Sequence, residues 1–457
     1  MDFDLVIRGG TLISAWDKQA TDLGILGDKI AAIGQGLHGK QELDATGMYV
    51  LPGGVDPHVH LEMPAGVTTS SDDFESGTRA AVMGGTTTIV DFVEPEANES
   101  LMEAFEKRKA AAQGKAVIDY GFHMTLTSAR EDILAQIPQI IAAGMPSFKL
   151  YTTYAGMRLN DEDMLVAMRQ VASQGGLVLV HCENDAIVRS ATEFQKEAGH
   201  LSPSAHPLAR PAAAEIEAVT RVLALAECGG VPVYIVHIST EGAVDALRNA
   251  FGRGQKAWGE TCPQYLLLTE ENYRGDGFEG AKFVCSPPLR TQKDLRKLWW
   301  AIDDNVVHSI GTDHCPFNFV GQKDLGREDF TRIPGGLPGI EARLGLMYTF
   351  GVRAGKMGLS QWVNTCCTNP AKIMRLYPRK GTLMPGADAD VVVFDPKKKV
   401  KLSVDFLHER VDYTPYEGRQ LTGWPKWVFS RGERVVNEGE FSGETGRGIY
   451  LSRSISP

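Results

Sequence analysis

PGGVDPHVHLEMP, residues 52–64, closes an apolar run with Asp56, His58 and His60. On a β-strand, residues i and i+2 point to the same face, so His58 and His60 stand side by side. Two imidazoles so placed either grip one metal ion or form a polar pair at a strand end. The stretch alone leaves both readings open. What decides is whether other strands aim similar groups at the same point.

Seven further apolar runs follow the first. They are GGTTTIVDF (84–92), AVIDYGFHMTL (116–126), PSFKLYTTY (146–154), GGLVLVHCEN (175–184), VPVYIVHIS (231–239), QKAWGETCP (255–263) and VVHSIGTDHCP (306–316). Helical periodicity fills the gaps, at 73–85, 131–144, 160–176 and 211–230. The 160–176 stretch opens on Asn-Asp-Glu-Asp and stops at Gly-Gly, as a capped helix does. Eight strands alternating with helices make a (β/α)8 TIM barrel, an α/β fold. Near-continuous apolar strands fit a parallel sheet covered on both faces. The two ends of the chain read differently. DLVIRGGTLIS, DLGILGDKIAAIG and, far downstream, GTLMPGADADVVVFDP and WPKWVFSRGERVVNEGEF alternate in hairpin fashion. The plan is a small β-sandwich domain built from residues 1–50 and 380–440, a catalytic barrel over 51–379, and a tail at 441–457.

Composition narrows the class. Of 457 residues, 43% are hydrophobic and 23% charged, an ordinary globular balance. The net charge of −10 argues against a nucleic-acid partner. No apolar run approaches the ~18 residues of a membrane span, and MDFDLVIRGG has no basic n-region, so a cytoplasmic location is expected. Seven scattered cysteines without a C-x-x-C pair read as reduced thiols, which leaves metal chemistry to His and carboxylate.

Barrel enzymes carry their chemistry at the C-terminal ends of the strands. His58 and His60 end the first strand, Lys149 lies in the fourth, His181 ends the fifth, His237 the sixth, and Asp313 with His314 the eighth. Each alone has a plain structural explanation: a satisfied polar residue, a snorkelling lysine, a loop cap. Together, four imidazoles and a carboxylate facing one axis need a cation to be stable there. Nitrogen and oxygen donors suit divalent ions, zinc first for hydrolysis. Lys149 buried beside such ions would lose its proton readily; the neutral amine can then take up CO₂ and give an anionic carbamate. His38, His123, His200, His206, His308 and His408 are assigned to structure or surface, His123 least firmly because it too lies on a strand.

DPHVHLEMP, SDDFESGTRAAVMGGTTTIVDF, FKLYTTY, HCEND, HIST, ETCPQYLLLTEENY, SPPLR, GTDHCPF and KGTLMPGADADVVVFDP occur in order and at similar spacing to the hydantoinase/dihydropyrimidinase branch of the cyclic amidohydrolases. The chain resembles that branch from about residue 5 to 445, D-hydantoinases most of all. The resemblance implies that His58, His60 and Asp313 bind one metal ion, that His181 and His237 bind a second, and that carboxylated Lys149 bridges them. It implies that Tyr154 hydrogen-bonds the substrate carbonyl, that Ser286 contacts the ring through its backbone, and that Gly335 occupies the place of the family's Asn in I-P-N-G. The product would be an N-carbamoyl amino acid.

Met63, Tyr151 and Met157 are candidate walls for the ring substituent, while Arg158 either faces solvent or enters the pocket and favours acidic substituents. Dihydroorotases carry an Arg after the H-x-H where this chain has Leu61, and the allantoinase Asn-Glu-Pro-Gly run is not matched by LEMPAG. Non-catalytic relatives of the same fold lack metal ligands that are all present here. The family suggests a homotetramer, and Trp299, Trp300 and the C-terminal tail offer apolar material for subunit contacts.

Overall fold

The apolar runs form eight parallel strands: β1 (Gly54–Val59), β2 (Thr86–Val93), β3 (Asp119–Thr125), β4 (Ser147–Tyr151), β5 (Leu177–His181), β6 (Val233–Ile235), β7 (Ala257–Thr261) and β8 (Ser309–Ile310). They are seen in a computed structural model that describes residues 2–275 and 277–455. Pairing follows chain order from β1 to β8. The ring closes through a parallel bridge between Val59 and His314. Two backbone bonds reinforce the closure: Asp313 N–H donates to the His58 carbonyl (2.9 Å), and His60 N–H to that of His314 (2.8 Å). β1 to β6 are buried along their whole length, as sheets flanked by helices must be.

The surrounding helices obey local rules. Asp161–Ser173 starts where the Asn160 side chain accepts from Asp163 N–H, and it buries Met164, Ala167, Met168 and Val171 at i, i+3, i+4 and i+7. Ala212–Gly229 ends at Gly230, whose φ of 65° is left-handed. Phe74–Met83 begins with a reciprocal capping box between Asp73 and Ser76. The helix expected over 131–144 is instead two short ones, Glu131–Leu134 and Ile137–Ala142. Pro138 lacks the N–H that a continuous helix would donate to Leu134, so the ladder breaks ahead of it.

The terminal segments form one hydrogen-bonded sheet of nine strands, including Phe3–Ile13, Lys18–Leu26, Tyr49–Pro52, Val391–Lys401 and Gln420–Ser430. Bulges at Ile7/Gly10 and Val393/Phe394 bend it around a core of Leu5, Ile7, Leu23, Val50, Val391 and Phe429. Tyr49–Pro52 runs directly into β1, so the sheet fixes where the barrel begins.

Two buried cations tie the parts together. Arg343 donates to the carbonyls of Val55 (3.0 Å), Ile310 (2.9 Å) and Cys366 (3.3 Å), fastening β1 to β8. Lys380 reaches Asp119 at the start of β3 (2.6 Å) and Asp388 (2.9 Å) and Asp390 (2.8 Å) beside the nine-stranded sheet.

The tail lies on its own barrel: Leu451 N–H donates to the Tyr120 carbonyl (2.7 Å), and Leu451 and Arg453 are buried. That segment is therefore already engaged within its own chain. Trp299 is core, its indole donating to the Leu266 carbonyl (3.0 Å), whereas Trp300 is exposed beside Lys297 and Arg248. Among the described residues, no helix is long and apolar enough to cross a membrane.

Candidate metal centre

At the C-terminal mouth of the barrel lies a cavity of about 730 Å³, with His58, His60, Lys149, His181, His237 and Asp313 in its lining. Strand pleating explains the convergence, because alternate residues of each strand face the barrel axis. His58 Nε2 and His60 Nε2 each approach Asp313 Oδ1 to 3.2 Å. His181 Nδ1 and His237 Nε2 are 2.9 Å apart. The rings of His58 and His237 lie 5.5 Å from centroid to centroid, so the four imidazoles form one cluster.

Lys149 stands at its edge, 1% exposed, with Nζ 5.1 Å from the Phe92 ring centroid and 5.3 Å from that of Tyr151. Among the described residues its ammonium has no hydrogen-bond or ion-pair partner. Burial, only partly opposed by the charge of Asp313, pulls its pKa down to about 8.

The donor set fits divalent cations. Burial holds His58 and His237 far below the usual imidazole pKa, so both are neutral and available as ligands. Burial would raise the Asp313 carboxyl, but the facing His58 and His60 outweigh it and keep it an anion. Among the described residues, the buried His58 Nε2, His60 Nδ1 and His237 Nδ1 have no hydrogen-bond partner. Buried polar atoms rarely remain so in a finished protein. Backbone strain marks the same place: Tyr154, His237 and Asp313 have φ of 76°, 39° and 52°, a region that side chains other than glycine seldom occupy.

The outer partners were not foreseen in the sequence. Glu260 on β7 lies 2.6 Å from His58 Nδ1 and accepts from the Tyr234 hydroxyl (2.8 Å) and from His237 N–H (3.2 Å). Burial pushes its pKa up to about 7. Glu183 lies 2.9 Å from His181 Nε2 and pairs with Arg210. Carboxylates on the far nitrogens orient ligating imidazoles and raise their basicity. QKAWGETCP was read as a strand, and the inward glutamate at its end was the available signal.

Tyr154, Ser286 and Gly335 line the cavity, as do Met63, Tyr151 and Met157. Arg210 covers the Tyr154 ring at 5.1 Å, and burial raises that phenol's pKa and keeps it protonated. A Cβ built on Gly335 would meet only Ser286 Oγ, at 3.6 Å. Arg158 is absent from the lining. Half exposed, it pairs with Asp185 at 3.2 Å.

Asp56 is not at the mouth at all: it accepts from the Thr312 N–H (3.1 Å) and hydroxyl (2.6 Å) and so helps close the barrel. His314 turns away to Asp72 (3.0 Å). Both nitrogens of His123 are engaged, by Ser147 Oγ (2.7 Å) and the Pro57 carbonyl (2.9 Å). His206, assigned to structure or surface, does line the cavity, where it donates to the Cys285 carbonyl (2.8 Å).

Residues 49–435 match the model of the Amidohydrolase family. The chain belongs to that family. The amidohydrolase is similar along nearly its whole length to several relatives. It is 43% identical to the D-hydantoinase of Streptomyces coelicolor, with 98% of each chain covered. To the D-hydantoinase of Geobacillus stearothermophilus it is 44% identical, covering 98% of this chain and 96% of that one. Superposed on the crystal structure of dihydropyrimidinase from Brevibacillus agri NCHU1002, it gives a TM-score of 0.97 at 42% identity, with 98% of both chains covered. Membership carries with it a divalent metal centre, for which the His58–His60–Asp313 cluster of this amidohydrolase is the matching arrangement.

Proposed function

We propose that this amidohydrolase opens the ring amide of a cyclic diamide, a hydantoin or a 5,6-dihydropyrimidine, to an N-carbamoyl amino acid. The observation that carries the reading is the convergence of four imidazoles, Asp313 and the unpaired amine of Lys149 in one cavity that also presents Tyr154. The names of the full-length relatives point the same way.

His58, His60 and Asp313 would hold one divalent ion, and His181 and His237 a second. Carboxylated Lys149 would lie between them. Its neutral amine bonds to the carbon of CO₂ and releases a proton, which leaves an anionic carbamate. Zinc is the ion this nitrogen and oxygen set favours for hydrolysis. Bound there, the ions supply a water acidified to near neutral pH and a Lewis acid for the ring carbonyl. Asp313 takes the proton of the attacking water and passes it to the departing ring nitrogen. The protonated Tyr154 hydroxyl donates to the oxygen on which negative charge develops. The Ser286 and Gly335 backbones position the ring, and Met63, Tyr151 and Met157 surround its substituent. With Arg158 held by Asp185, no guanidinium grips an acidic substituent from that loop.

Leu61 packs against Gly77, so the position after the H-x-H offers no cation for a dihydroorotate carboxylate. We place the enzyme in the cytoplasm as a homo-oligomer, a tetramer by resemblance, which light scattering on the purified protein would check. The decisive experiment offers metal-replete enzyme hydantoin, dihydrouracil, allantoin and dihydroorotate and follows ring opening by mass spectrometry. N-carbamoyl products from the first two support the proposal. Turnover of only the last two, or of none, overturns it.

A further inference from the structure

One charge in the cavity wall has no use in ring opening. Glu94, immediately after β2, is partly buried and lines the main cavity near His60, Met63 and Lys149. It also lines a side cavity of about 300 Å³ that shares His60, Met63 and Pro64 with the main one. Among the described residues its carboxylate makes no hydrogen bond and no ion pair.

The cations around it are engaged elsewhere. Arg108 donates to both Asp91 oxygens at 2.9 Å, and Lys107 pairs with Glu96 at 2.5 Å. The charge of Lys149 is the one that carbamate formation reverses. The side chain of Glu62, on the side-cavity wall, likewise has no hydrogen-bond or ion-pair partner among the described residues. With Lys107 and Arg108 of that wall committed to Glu96 and Asp91, the passage between the cavities is acidic on balance. A partly desolvated carboxylate without a counter-charge is costly, and a guest that supplies one recovers that cost. Burial already pushes the Glu94 carboxyl upward, which registers the same cost.

Resting on the ring-opening reading above, we propose that Glu94 is a specificity-determining residue that selects rings whose substituent ends in a cation. A primary ammonium or a guanidinium on a short aliphatic stem is the class that fits, the stem crossing Met63 and Pro64 and the charge meeting Glu94. Arg332, without an ion-pair partner among the described residues, lines the same cavity, but it is exposed and belongs to the opposing 330–336 segment.

The test compares kcat/KM for 5-(4-aminobutyl)hydantoin and its uncharged counterpart 5-pentylhydantoin in metal-replete enzyme, with unsubstituted hydantoin as reference. The wild type is expected to favour the ammonium about tenfold, as a partly desolvated charge pair would. Glu94→Gln brings the ratio close to one, and Glu94→Lys turns the preference toward a 5-carboxyalkyl ring. Metal content is measured on each variant. The inference is overturned if the wild type favours the pentyl ring, or if Glu94→Gln leaves the ratio unmoved. It is equally overturned if Glu94→Gln loses its metal, because the carboxylate would then be serving the unpartnered His60 Nδ1. Silence toward unsubstituted hydantoin would instead sink the ring-opening reading itself.

Discussion

Lys149→Ala removes the amine beside the four imidazoles, and we expect metal content and ring opening to fall together. Inductively coupled plasma mass spectrometry and a turnover assay read both, and a short-chain carboxylic acid should restore part of each by replacing the lost anion. Full turnover at native metal content would refute the carbamate. Gly335 offers a second residue-level experiment. Its missing Cβ faces open space toward Ser286, so Gly335→Asn should fold normally and show whether ring binding gains from a side chain. Gly336, at φ 154°, would drive a Cβ into the Cys315 carbonyl at 2.3 Å, so Gly336→Ala should destabilise the chain in thermal melts. The residues that come together in the cavity, His58, His60, Lys149, His181, His237 and Asp313, were legible because each sits in or at the end of an apolar run. Glu260 was not, since its partner His58 lies 202 positions away and only barrel closure joins them. Glu94 escaped for a related reason: which cavity a loop carboxylate faces depends on how the loop folds, not on its spacing.

The segment from Lys323 to Gly336 forms much of one cavity wall and was not read as an element at all, because it has no apolar period and only two short 3₁₀ turns. A buried lysine pins it. Lys323 Nζ donates to the carbonyls of Val284 (3.0 Å) and Pro334 (2.9 Å), which flank the two backbone stretches proposed to hold the ring. Lys323→Met should therefore raise KM more than it lowers kcat, and leaving the Pro334 carbonyl bare should cost about 1–3 kcal/mol. Burial brings the Lys323 pKa down to about 7 from its ordinary 10.5. Between those values the unfolded chain binds a proton that the folded chain does not, so this group makes stability rise with pH across that window and lowers it below about 7. Denaturant midpoints from pH 6.5 to 10 should show a shallower upward slope in Lys323→Met than in the wild type. The barrel strands were readable throughout, since burial on both faces imposes the continuous apolar run that betrays them.

At the scale of the molecule, Lys380 and its three aspartates couple barrel to sheet. Burial would raise Asp388, but Lys380 and Lys29 outweigh it and hold the carboxyl down to about 2. Its contribution is thus fully present above pH 3.8 and disappears as pH falls toward 2. Asp388→Asn should lower the melting temperature at pH 7 and narrow the gap to wild type near pH 2, as calorimetry would show. Stripping the metal by chelation should lower the melting temperature by about 3–5 °C, with recovery on adding zinc and bicarbonate. That the N-terminal segment and the segment from about residue 380 to 440 cooperate in one sheet was legible from their matching hairpin patterns. That the tail folds back under β3 was not, because LSRSISP carries no period that would announce it.

The seam between β1 and β8 sets a timetable. His58 and His60 leave the ribosome early, yet the backbone that locks them in place belongs to Asp313 and His314, and the sheet that braces β1 waits for Val391–Lys401. A growing chain therefore cannot capture its ions as it emerges. Loading has to follow synthesis, and any partially made or prematurely terminated product would be born without a working centre.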